Sequence, residues 1–243
     1  MARIVLAHGF TQTGASWQPV TTRLRDDGHD VRSPDLPGHG TAAAAPADLW
    51  TGARQLGDEG GPATYAGYSM GGRYCLHLAL DRPALVRSLV LVGATPGIDD
   101  PGERAARRAA DAVLAAEIER DGVDAFLERW VAQPLFASLP RDDAAIDSRR
   151  VNTAAGLAAS LRRAGTGAQD SLWTRLDELR MPVVLVTGSL DPKFTAIAER
   201  MATAIGPNAR HVVVAGSGHA VPLERPAEFA ALVAEVAAAV DAT

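Results

Sequence analysis

The sequence predicts an α/β three-layer sandwich, a mostly parallel sheet between two layers of helices. Three observations carry that expectation. Short runs rich in Val, Ile, Leu and Ala alternate with amphipathic segments along most of the 243 residues. Most of the runs are continuously apolar, as parallel strands covered on both faces are. Gly, Pro or Asp bounds them, marking where strand gives way to turn.

Taken in order, Arg3–His8 reads as a strand and Trp17–Asp26 as the helix after it. Asp30–Ser33 is a short second strand and Ala47–Gly57 a second helix. Thr64–Tyr68 runs almost directly into a helix over Met70–Leu80, and Val86–Gly93 is a fourth strand. There the alternation stops. Between about Thr95 and Gln169 the pattern is helical only, including Glu103–Arg120 and Val123–Val131. Strand and helix resume with Val183–Gly188, Phe194–Ile205, Arg210–Ala215 and Pro226–Val240. The chain therefore reads as a single domain, with a core of residues 1–96 and 169–243 and a helical lid at 97–168. A separate second domain is the alternative for the insert. A lid fits better, because ligand sites in open α/β sheets lie beyond the carboxyl ends of the strands.

Composition excludes several classes of function. Lys+Arg total 24 against 29 Asp+Glu, a formal net charge of −5, so neither a nucleic-acid footprint nor a polybasic membrane patch is expected. A single cysteine, Cys75, allows no internal disulfide and no Cys-based zinc cage, and it reads as core packing. The apolar run at the N-terminus ends too soon for a signal peptide, and Phe229–Val240 is interrupted by Glu235 and too short to span a bilayer. The expectation is a cytoplasmic protein without cofactor or metal that acts on a small molecule, its oligomeric state left open. Lys193 is the sole lysine.

The chemistry centres on Gly67-Tyr68-Ser69-Met70-Gly71, a Gly-x-Ser-x-Gly placed after a strand and before a helix. A serine on so tight a turn needs glycine neighbours to avoid collision, and the helix N-terminus behind it favours developing negative charge. Serine is a weak nucleophile at neutral pH and needs a base held by a third group. Asp191 and His219 follow in the chain order that this arrangement uses, each just past the end of a strand. Asp191 also reads as a helix N-cap, and His219 as a loop histidine. The backbone N–H groups of Phe10 and Met70 are positioned to pair as an oxyanion site. His29, His77 and His211 lack a partner pattern, and His39, in Pro37-Gly38-His39-Gly40, reads as a turn residue.

These residues resemble the α/β-hydrolase superfamily over the whole chain, and within it the 2-succinyl-6-hydroxy-2,4-cyclohexadiene-1-carboxylate synthases of menaquinone biosynthesis. The likeness rests on Gly67-Tyr68-Ser69-Met70-Gly71-Gly72-Arg73, on Trp130 with Gln133-Pro134-Leu135-Phe136-Ala137-Ser138-Leu139, on Gly156-Leu157-Ala158 through Gln169-Asp170-Ser171-Leu172-Trp173, and on Gly188-Ser189-Leu190-Asp191-Pro192-Lys193-Phe194. Val131 departs from it, standing where many members have an aromatic residue. The resemblance implies a lid inserted after the sixth strand of the fold, with one or two N-terminal strands lacking here. It also implies a Ser69–His219–Asp191 triad that abstracts a proton and drives elimination of pyruvate, rather than hydrolysing an ester.

Arg73 lies one helical turn beyond Ser69, where the macrodipole opposes a cation unless a carboxylate ligand is present. The resemblance adds Arg107, which shares a face with Arg104 and Arg108, and Arg150, with the neighbouring Arg149 leaving that register open by one. Such arginines read otherwise as solvated surface. Tyr68 and Trp130 would line the pocket, Trp130 reading alternatively as lid core. Three arginines would match a substrate with three carboxylates. The expected activity is a carbon–oxygen lyase. A serine hydrolase of a small ester, lactone or carbon–carbon bond is the alternative, and a non-catalytic binding protein a third reading.

Overall fold

Six strands form one sheet: β1 (Arg3–Ala7), β2 (Asp30–Arg32), β3 (Ala63–Tyr68), β4 (Val86–Val92), β5 (Val183–Gly188) and β6 (Ala209–Val214). Their order is β2-β1-β3-β4-β5-β6, and every neighbouring pair is parallel. This computed structural model describes residues 1–139 and 147–241, so 140–146 of the predicted insert lie outside the described residues. All six predicted strands are present.

Parallel neighbours require crossovers, which include α1 (Gln18–Asp26), α2 (Leu49–Gly60), α3 (Met70–Asp81) and α6 (Pro192–Ile205), while α8 (Pro226–Asp241) follows the last strand and packs on the sheet. The two-residue period of a strand sorts the core into two layers. Val5 and Ala7 of β1 pack with Leu56 of α2, Leu76 of α3 and Met201 of α6. Ile4 and Leu6 face the other way, toward Leu24 of α1 and Val233 of α8. Asp48 caps α2 by accepting from the Thr51 N–H at 2.7 Å.

The helical insert follows β4, the fourth strand of this chain. Among its described residues it includes α4 (Pro101–Val131), broken at Gly122 where φ is 82°, and α5 (Ala154–Ala164). The predicted boundary between Arg120 and Val123 falls on that break. Ala115, Ile118, Phe126, Leu127, Leu157 and Leu161 form an apolar cluster of the insert's own, and Phe10 packs against its edge. The remaining short helix, α7 (Val221–Glu224), follows the loop that carries His219. Among the described residues no helix is long and apolar enough to cross a membrane.

Candidate active site

The carboxyl ends of β1, β3, β4, β5 and β6 converge below the insert, and the loops leaving them carry the candidate residues. Ser69 sits between β3 and α3 with φ 50° and ψ −106°, a left-handed conformation forced on a non-glycine residue. The chain can turn so tightly because Gly71 lies against β1: a Cβ there would stand 2.0 Å from the Ala7 carbonyl oxygen. The collision argument made from the motif thus has a specific partner.

His219 Nε2 lies 3.3 Å from Ser69 Oγ, and His219 Nδ1 lies 2.7 Å from Asp191 Oδ2. A carboxylate only accepts, so Nδ1 carries the proton and Nε2 keeps a lone pair facing the serine hydroxyl. The other oxygen, Asp191 Oδ1, accepts from the Phe194 N–H at 3.2 Å as the N-cap of α6. Both readings of Asp191 hold, one on each oxygen. Rings of Phe194 and Tyr68 pack around the imidazole, with centroids 4.4 and 5.5 Å away. Gly93, at φ +53°, leaves the space the imidazole occupies.

A cavity of about 830 Å³ opens above Ser69, lined among others by Phe10, Tyr68, Met70, Arg73, Arg107 and Trp130. Arg73 is buried and donates from Nη1 to the Ala164 carbonyl at 2.5 Å. Burial draws its pKa down to about 10, which leaves it charged at neutral pH. Arg107, half-exposed, pairs through Nε with Asp111 Oδ1 at 2.8 Å, one helical turn along α4. The Asp111 carboxylate thus offsets the charge that Arg107 brings near Arg73. The Trp130 indole N–H is buried, and among the described residues it has no hydrogen-bond partner.

One expectation needs correction. Arg150 is exposed at the surface, held by Asp124 at 3.0 Å and by Asp147, and it does not line the cavity. Arg149 does. It is buried, its Nη1 donates to Thr11 Oγ1, and burial pulls its pKa below the ordinary value, with nearby Tyr68 opposing the shift. Sequence reasoning also passed over Lys193 as a site residue. It lies at N2 of α6 and lines both this cavity and an adjoining cleft that shares Thr95, Arg107, Thr166 and Phe194. Its place directly after Asp191-Pro192 was the available signal. Among the described residues no cluster of three or more His, Cys, Asp or Glu is grouped to hold a metal.

Two buried histidines support the loop after β1. His8 accepts the Leu36 N–H at Nε2 and His39 accepts the Thr11 N–H, while their Nδ1 atoms face the carbonyls of Gly9 and Pro37. Burial lowers them to about 4 and about 3, so both are neutral. His39 is the turn residue it was expected to be.

Residues 4–232 match the model of the alpha/beta hydrolase family. The chain belongs to that family. Among similar alpha/beta hydrolase chains is a Bacillus subtilis (strain 168) protein to which the name 2-succinyl-6-hydroxy-2,4-cyclohexadiene-1-carboxylate synthase is provisionally attached. It is 37% identical over 96% of this chain and 89% of its own length. The 2-succinyl-6-hydroxy-2,4-cyclohexadiene-1-carboxylate synthase of Enterobacter sp. (strain 638) is 32% identical over 96% of this chain and 90% of its own. Among solved structures, MenH from S. aureus superposes with a TM-score of 0.89 at 27% identity, covering 98% of this alpha/beta hydrolase and 94% of that chain.

Proposed function

We propose that the protein is a lyase that eliminates pyruvate from 2-succinyl-5-enolpyruvyl-6-hydroxy-3-cyclohexene-1-carboxylate, giving 2-succinyl-6-hydroxy-2,4-cyclohexadiene-1-carboxylate. The observation that carries this reading is the ring of Arg73, Arg107 and Arg149 around the cavity above a serine–histidine–aspartate array. A cavity built only to admit a neutral ester has no need of the buried Arg73 and Arg149 guanidinium groups, whose desolvation is costly unless an anion compensates. The names of the synthases among the relatives support the same product.

The chemistry follows from the change in the ring. The diene of the product requires loss of the proton on the carbon that bears the succinyl group. His219 Nε2, acting through Ser69 Oγ, takes that proton, and Asp191 stabilises the imidazolium that forms. The released electron pair makes the new double bond, the existing one shifts along the ring, and the carbon–oxygen bond to the enolpyruvyl group breaks. Enolpyruvate leaves and is protonated to pyruvate. Negative charge accumulates on the succinyl carbonyl during proton loss, and the Phe10 and Met70 N–H groups are its donors; such donors are typically worth about 3 kcal/mol each. Arg73, Arg107 and Arg149 hold carboxylates, Tyr68 and Trp130 wall the pocket, and the insert at 97–168 acts as a lid that keeps water out.

Pyruvate release from the enolpyruvyl substrate, coupled to lactate dehydrogenase, tests the proposal. The expected result is release by the wild-type protein and its loss in Ser69→Ala, with poor turnover of short p-nitrophenyl esters and no acyl-enzyme burst. Fast ester turnover without pyruvate would overturn the lyase reading in favour of a hydrolase.

A further inference from the structure

Thr11 follows the Phe10 turn, is wholly buried, and holds φ at +68°. Among the described residues only Ser69 is also a non-glycine with positive φ. A β-branched residue is poorly suited to that region, whereas glycine enters it freely. A threonine kept where the backbone favours glycine points to a task for its side chain.

Each polar group of Thr11 is engaged. Its N–H donates to His39 Nε2 at 3.3 Å, its carbonyl accepts from Asn152 Nδ2 at 2.7 Å, and Oγ1 accepts from Arg149 Nη1. Asn152 also donates to the Arg149 carbonyl at 2.9 Å and accepts from the Gly40 N–H at 2.9 Å. His39 belongs to the core, Arg149 and Asn152 to the insert. Thr11 therefore sits where the insert is fastened to the loop bearing Phe10, with its hydroxyl on the Arg149 guanidinium.

We infer that Thr11 is a positioning residue for Arg149, its hydroxyl orienting the guanidinium toward a carboxylate of the bound substrate. The inference rests on the lyase reading for its consequence in turnover. Because Thr11 acts through a binding group, its loss falls on KM and spares kcat.

The test is a double-mutant cycle with a conservative rescue. Thr11→Val keeps the shape and removes the hydroxyl, Thr11→Gly removes hydroxyl and strain together, and Thr11→Ser keeps the hydroxyl. The expected result for pyruvate release is a KM raised about tenfold in Thr11→Val and Thr11→Gly with kcat within about twofold, and Thr11→Ser near wild type. In an Arg149→Ala background, Thr11→Val is expected to add nothing. Thr11→Gly is expected to melt no lower than wild type, which separates positioning from fold support. An unchanged KM in Thr11→Val, or an equal loss with and without Arg149, would overturn the inference. A second readout does not depend on the reaction: the Arg149 guanidinium N–H resonances, assigned with Arg149→Lys, are expected to be sharp in wild type and Thr11→Ser and exchange-broadened in Thr11→Val. Should the wild type release no pyruvate, the lyase reading fails, and these resonances still decide the role of Thr11. Identical spectra in all variants would refute it.

Discussion

Gly93→Ala tests how closely the imidazole is held. A Cβ at Gly93 would stand 2.7 Å from His219 Cε1 and 2.9 Å from Nδ1. To move from 2.7 Å to the 3.4 Å of ordinary contact, the ring must retreat by about 0.7 Å. It cannot retreat freely, because Nδ1 is fixed to Asp191 at 2.7 Å and Phe194 packs on the ring at 4.4 Å. The displacement acts on the 3.3 Å approach to Ser69 Oγ. Misplacement of a reacting group by about 1 Å costs about 10²-fold in rate, so kcat for pyruvate release is expected to fall by roughly 30- to 100-fold. Alanine at φ +53° adds about 1–2 kcal/mol of backbone strain, visible as a lower Tm. Steady-state kinetics at several pH values and thermal melts read the two effects separately. A folded Gly93→Ala enzyme with wild-type kcat would refute the claim that the His219 position governs the rate.

Arg149→Ala and Arg150→Ala are expected to part company: the first loses kcat/KM for pyruvate release by about 10²-fold, as removal of a charge-assisted contact does, and the second stays near wild type. Equal losses in the two would show that the cavity does not select between them. Arg73→Met should fold, with its melt lowered by the unpaired Ala164 carbonyl, and lose a comparable factor; turnover at the wild-type rate would remove Arg73 from the carboxylate clamp. Stability should fall on acidification between about pH 6.5 and 4. His8, His39 and His77 are lowered by burial to about 4, 3 and 4, so in this window the unfolded chain binds protons that the folded one refuses. That contribution is fully present above pH 6.5 and amounts to a few kcal/mol per histidine by the conversion of about 1.4 kcal/mol per unit. A Tm that is flat from pH 6.5 to 4.5 would contradict it. Cys75, wholly buried with its thiol pushed upward, should react with a thiol reagent only after denaturation.

What the sequence made legible followed from periodicity. β3, β4 and β5, buried almost throughout, leave continuous apolar runs and were readable for that reason, whereas the partly exposed β2 and β6 were read with the help of their bounding turn residues; the break in α4 falls between the two predicted helices, at Gly122 with φ 82°. Ser69, Asp191 and His219 were readable because each follows a strand and chain order constrains their roles. The choice between Arg149 and Arg150 was not. They lie in a turn with no period to sort inward from outward residues, and what decides between them is distant in sequence. Asp124 holds Arg150 at the surface and Thr11 receives Arg149 inside. The strain at Thr11 was equally hidden, since a positive φ is normally inferred from glycine. Asp111 lies within reach of sequence reasoning, one helical turn past Arg107, where an opposite charge pairs across the helix surface.

The apolar cluster of the insert shares little with the two layers that flank the sheet, and Phe10 is the ring that packs against both it and the cluster holding α2 and α3. Beyond that ring, the roof over the cavity is held to the floor by polar bonds, Arg149 and Asn152 to Thr11 and Arg73 to Ala164. Substitutions within the insert's apolar cluster change none of the bonds joining Ser69, His219 and Asp191, so ligand preference can drift across generations while the chemistry beneath stands still.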